Sequence, residues 1–148
     1  MSDLALPLTG FAPMALADPF EIHIGPVFEK GARGSRSFAI RIDERHVNRG
    51  GVLHGGMLAT FADLALGAAV FDATDGAPSV TLAMQMQFLK SARAGDIVQV
   101  QPLLLRRTRA FLFVRGDFTV EDDAIFTAMS TWKLLDQGHI DGDSGTNS

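Results

Sequence analysis

A chain of 148 residues and 15.9 kDa has room for one domain with a hydrophobic core, and hardly for two. Hydrophobic residues make up 47% and charged residues 20%, too apolar for a disordered chain, and a net charge of −4 lacks the basic footprint that nucleic acid demands. The absence of cysteine excludes disulfides, thiolate metal sites and a cysteine nucleophile, and suits a reducing cytoplasm.

Residues 1–19 read as an irregular N-terminal arm. Their apolar run is broken by Pro7 and Pro13 and has no basic flank, so it is not a signal peptide, and no function attaches to it. Residues 22–29 and 35–42 read as two strands joined across a glycine-containing turn. In the second, Phe38, Ile40 and Ile42 alternate with Ser37, Ala39 and Arg41, the period of a half-buried strand. A glycine-rich loop spans residues 46–56. Residues 57–71 then favour helix and are apolar nearly all round, which places that helix inside the fold; at this length it falls short of a bilayer span. No membrane segment is expected.

Val80, Leu82, Met84, Met86 and Phe88 alternate with Thr81, Ala83, Gln85 and Gln87, giving a long strand with Thr81 on the face opposite Val80 and Leu82. Runs at 97–105, 110–120 and 125–135 complete four strands, expected as antiparallel neighbours because the connections are short. One greasy helix is buried by a small antiparallel sheet only if the sheet curls round it. The expected domain therefore occupies residues 20–136, and residues 137–148 form a polar tail.

The informative stretch is His46-Val47-Asn48-Arg49-Gly50-Gly51-Val52-Leu53-His54-Gly55-Gly56, running into the helix that carries Asp63. The amides near Gly55 and Gly56 become unpaired donors at a helix N-terminus, which is oxyanion-hole geometry, although a tight loop before a helix has the same composition. Asp63 is the one carboxylate between Met57 and Phe71. Burying a lone charge is costly, so a desolvated carboxylate facing a ligand is expected, with solvent access or a partner across a dimer as the rival explanations.

The pattern HxNxGGxxHGG, followed by Phe61-Ala62-Asp63, resembles the phenylacetate-pathway (PaaI-like) branch of hotdog-fold acyl-CoA thioesterases, over about residues 20–135. That resemblance implies an α+β hotdog fold, with a six-stranded antiparallel sheet wrapped round one long buried helix, and assembly into homodimers and commonly homotetramers. It implies hydrolysis of an acyl-CoA, such as an aryl, arylacetyl or medium- to long-chain acyl thioester, in the cytoplasm that the lack of cysteine suggests. Coenzyme A is then part of the substrate, and neither a metal nor a separate cofactor is needed. By the same resemblance, the Gly55 amide polarises the thioester carbonyl, with Gly56 beside it, and Asn48 and His54 shape and hold the loop. Asp63 attacks the carbonyl or activates water, and Thr81 orients that water or carboxylate.

Helix geometry adds a constraint of its own. Gly55 and Asp63 lie eight residues apart, so their backbones are separated by roughly 12 Å along one helix and do not both touch one carbonyl. A second helix running antiparallel in a two-fold dimer brings the other copy's Asp63 opposite Gly55, so shared active sites are expected.

Other chemistries find less support. His46 and His54 lack a third ligand at metal spacing, the loop lacks the lysine of a phosphate-binding P-loop, and no GxSxG nucleophile elbow occurs. Two rival functions stay open: an acyl-CoA hydratase or dehydratase of the same fold, whose GxNPxH loop is absent, and a binding module that holds acyl-CoA without cleaving it. Release of free coenzyme A separates them.

Overall fold

The computed structural model describes residues 8–135; the expected tail over 137–148 and the first seven residues of the arm lie outside the described residues. In chain order the elements are β1 (Ala12–Pro13), α1 (Pro19–Ile24), β2 (Val27–Lys30), β3 (Ser37–Arg41), α2 (Gly55–Ala73), β4 (Ser79–Phe88), β5 (Ile97–Val100), β6 (Leu103–Arg107), β7 (Phe111–Val120) and β8 (Asp123–Leu134). All strands join one antiparallel sheet in the order β1-β2-β3-β5-β7-β8-β4, with β6 also paired to β7. The sheet curves round α2, as expected of the hotdog architecture.

Three local expectations are corrected. Residues 22–29 are not one strand. Asp18 caps α1 in a reciprocal box with Glu21, Pro19 opens the helix, and a cis Gly25-Pro26 bond precedes β2. The run at 97–105 breaks into β5 and β6 at Gln101-Pro102, where proline has no amide for the ladder; both halves lie beside β7. Six expected strands thus become seven, and the short β1 makes eight. Finally, β4 does not neighbour β5. Among the described residues it pairs only with β8 and ends the sheet, while β5 lies between β3 and β7.

Helix α2 has 19 residues, four more than expected, and is long and apolar enough to cross a bilayer by length and composition alone. Here it serves as the core helix: Phe61, Ala62, Ala65, Leu66 and Val70 are buried against the sheet. Close approach is made possible by glycine at two points. A Cβ on Gly116 of β7 would meet Leu66 at 3.0 Å, and one on Gly67 of α2 would meet the Trp132 ring at 2.9 Å. The indole of Trp132 donates to the Ser130 hydroxyl, which donates to the Val114 carbonyl, so the polar groups under the helix are satisfied. The expectation of a helix buried all round fails, however. Asp63 and Phe71 are exposed, with the half-buried Thr60, Leu64 and Gly67 beside them, so this face of α2 is only partly covered by the chain's own sheet.

The far end of α2 is tied to the β2–β3 hairpin by charge. Asp72, with a side chain only 4% exposed, takes two hydrogen bonds from Arg36, at 2.7 Å each, and Arg36 also donates to Glu29 at 2.6 Å. Burial lowers the Arg36 pKa, but the hydrogen bonds and charges of Asp72 and Glu29 outweigh it and leave the guanidinium more firmly protonated. Removing Asp72 takes away two of the hydrogen bonds that Arg36 donates and leaves it with Glu29. Asp72→Ala is therefore expected to destabilise the fold by about 3 kcal/mol, read from urea unfolding with an unchanged m-value.

Candidate active site

The glycine loop is a small closed structure. Asn48 and Val52 pair through a backbone hydrogen bond of 2.8 Å, and the Asn48 Oδ1 accepts from the amides of Gly50, at 2.9 Å, and Val52, at 3.3 Å. Gly51 sits at φ +78°, a left-handed conformation that glycine takes without strain. The loop is fastened on both sides. Leu53 N–H bonds to the Ala92 carbonyl at 2.7 Å, and His54 N–H bonds to the His46 carbonyl at 2.8 Å.

His46 is buried and fully engaged. Its Nδ1 accepts from the Asp43 amide at 3.0 Å, so the proton lies on Nε2, which donates to the Ile24 carbonyl at 2.7 Å. Its place is structural. Beside it, the Asp43 carboxyl is held below its ordinary value, chiefly by hydrogen bonds from the Arg45 side chain.

His54 is the N-cap of α2. Its Nδ1 accepts from the Gly56 amide at 2.8 Å, which uses one of the free donors of the first turn. The Gly55 amide, one position earlier, makes no hydrogen bond among the described residues. Of the two glycines that sequence offered as donors, only Gly55 remains available to a ligand. It faces a cleft of about 230 Å³ bordered by Phe88, Lys90 and Ser91. Edge-to-face contacts link Phe61, Phe118, Phe126 and Phe88 at 5.0 to 5.5 Å, holding Phe88 against the start of α2.

Two turns along the helix, Asp63 receives a 2.7 Å hydrogen bond from the Thr81 hydroxyl on its Oδ1, while Oδ2 makes none among the described residues. The pairing depends on a β-bulge between Thr81 and Ala83. Simple alternation groups Thr81 with Ala83, Gln85 and Gln87. The extra residue shifts the register, so Thr81 opposes buried Trp132 and shares the inner face with Met84, which opposes buried Ser130.

The expectation that Asp63 is buried is overturned, because in the single chain the residue is exposed. It opens instead onto a cavity of about 740 Å³ between the partly covered face of α2 and residues 14–21. Gly55 does not line that cavity, nor does Asp63 line the Gly55 cleft. Sequence reasoning missed Phe88, which it placed only in a strand, and the arm residues, which carried no motif.

The family model of the thioesterase superfamily matches residues 50–127, more than half of the chain and the span that holds Gly55, Asp63 and Thr81. The chain belongs to the thioesterase superfamily. It is 40% identical over 93 residues to a putative esterase of Pseudomonas aeruginosa, covering 62% of this chain and 69% of that protein. It is 28% identical over 126 residues to human acyl-coenzyme A thioesterase 13, covering 84% of each. Its fold is similar to that of a mutant of the phenylacetic acid degradation protein PaaI from Thermus thermophilus, with a TM-score of 0.73 and 24% identity, covering 80% of this chain and 100% of that one. The hotdog architecture implied by the resemblance is thus shared with this PaaI structure.

Proposed function

We propose that this thioesterase-superfamily enzyme hydrolyses acyl-coenzyme A thioesters at sites shared between two antiparallel copies of the chain. One observation carries the reading: the unpaired Gly55 amide and the Thr81-held Asp63 carboxylate face different cavities of the same chain. A donor that polarises a carbonyl and a carboxylate that works on it must each come within about 3 Å of the reacting group. The β4 edge supports the arrangement. It is a ten-residue strand with no outer neighbour among the described residues, carrying exposed Val80 and Leu82. Long unpaired edges favour pairing with another strand, and two-fold pairing through β4 runs the two α2 helices antiparallel.

In each site the Gly55 amide, at the positive end of α2, stabilises the oxyanion that forms on the thioester carbonyl. Asn48 and His54 hold that amide in place, through the loop hydrogen bonds and the helix cap. The partner copy supplies the carboxylate. With Oδ1 fixed by Thr81, Oδ2 either takes a proton from the attacking water or attacks the carbonyl itself, and the coenzyme A thiolate departs. Retention of label from ¹⁸O-water in the carboxylate after a single turnover marks the second route.

Release of free thiol from a panel of acyl-CoAs tests the activity. A hydratase changes enoyl absorbance without releasing thiol, and a binding module does neither. Thr81 gives a finer expectation. Loss of a hydrogen bond to a charged group costs about 1.5–3 kcal/mol, so Thr81→Val is expected to lower kcat roughly tenfold or more, with Thr81→Ser recovering most of it.

A further inference from the structure

The cavity at Asp63 has a direction. Thr60, Asp63, Leu64, Gly67, Ala68 and Phe71 form one stripe of α2 along it, at spacings of three and four residues. From Asp63 to Phe71 the stripe runs about 12 Å, and the residues lining its middle, Gly67 and Ala68, are small. The opposite side is built by the arm. Met14 is anchored by its amide to the Val27 carbonyl at 2.9 Å and packs on the core, and Asp18 starts α1. Between them Leu16 and Phe20 line the cavity while 81% and 58% exposed, so they add little to the chain's own core.

The charges on the walls are nearly all negative. Asp18, Glu21 and Glu29 line the cavity with Asp63, and Arg36 is the one lining cation among the described residues. Arg36 is already committed to Asp72 and Glu29. Burial, as the largest influence, holds the Glu21 carboxyl above its ordinary value, so added negative charge is unwelcome there.

We infer that residues 14–21 form the outer wall of the acyl pocket, with Leu16 and Phe20 as its apolar contacts, and that this pocket selects uncharged acyl groups of medium length. The inference rests on the thioesterase reading above. An extended alkyl chain advances roughly 1.3 Å per bond, so the 12 Å stripe accepts about nine bonds beyond the carbonyl. A chain ending in a carboxylate meets carboxylates and no free cation among the described residues.

The test compares kcat/KM for butyryl-, decanoyl- and decanedioyl-CoA in the full chain, the Leu16→Ala/Phe20→Ala double variant and Ala68→Phe. The unaltered enzyme is expected to favour decanoyl over both of the others. Each variant is expected to lower the decanoyl-to-butyryl ratio about tenfold or more, one by removing a wall and the other by filling the space. Leu16 and Phe20 are exposed, so the double variant remains a test even if Ala68→Phe fails to fold. Equal effects on both chain lengths overturn the inference, and so does a flat chain-length profile in the unaltered enzyme, as when a partner subunit fills the cavity. Absence of thiol release from every acyl-CoA would instead overturn the thioesterase reading beneath it.

Discussion

Asp63→Ala is expected to lower kcat for acyl-CoA hydrolysis by about 100-fold or more, with KM and melting temperature nearly unchanged. The carboxylate is the only ionisable group of α2 between Thr60 and Phe71, and among the described residues its one hydrogen bond comes from Thr81. Because Asp63 is exposed in the single chain, its loss opens no cavity in the core, and alanine is the best helix former. Thiol release under saturating substrate, beside a thermal unfolding curve, separates lost chemistry from lost structure. Turnover near the unaltered rate would remove Asp63 from the mechanism.

Gly55→Pro is expected to raise the barrier by about 2.7–4 kcal/mol, a loss in kcat of roughly 100- to 1000-fold, because proline deletes the one first-turn amide left free for an oxyanion. The fold is expected to survive. Gly55 is the first residue of α2, where proline is well tolerated, and the preceding His54 sits at φ −65° and ψ 133°, the extended conformation that a residue before proline prefers. The new ring meets Phe88, whose side chain lies 3.3 Å from a Cβ at this position and is 56% exposed, so it has room to shift. A folded Gly55→Pro enzyme with unaltered kcat would show that another group holds the oxyanion.

How far the sequence reaches depends on whether a signal is local. Alternation over β3 and β4, the alanine- and leucine-rich run of α2 and the glycine loop are each written within a dozen residues or so, and each is found where expected. The start of α1 was also legible, since Asp18-Pro19-Phe20-Glu21 carries a cap, a first-turn proline and the returning glutamate, but Ile22 and Ile24 look equally like a strand. Pairing partners were not legible. β4 and β5 are neighbours in sequence, yet residues 89–96 carry the chain from the edge beside β8 to a place between β3 and β7, which only long-range pairing shows.

The site was legible in part, and for one wrong reason. Asp63 stood out as a charge on an apolar helix, which suggested burial; the structure leaves it exposed on a face that its own sheet covers only in part. The Thr81 partnership came from the family pattern, whereas its geometry depends on a bulge that alternation hides. Leu16 and Phe20 carried no site signal because ordinary apolar side chains line the cavity there.

The shared site is the central claim, and mixed dimers test it most directly. A chain carrying Gly55→Pro is combined with a chain carrying Asp63→Ala, and heterodimers are purified by differential tags. If each site takes Gly55 from one copy and Asp63 from the other, one site collects both defects and the other neither. Thiol release is then expected at about half the unaltered value per dimer, far above either parent variant. If both residues served a site within one chain, every site in the heterodimer would carry one defect, and activity would stay at the level of the parents.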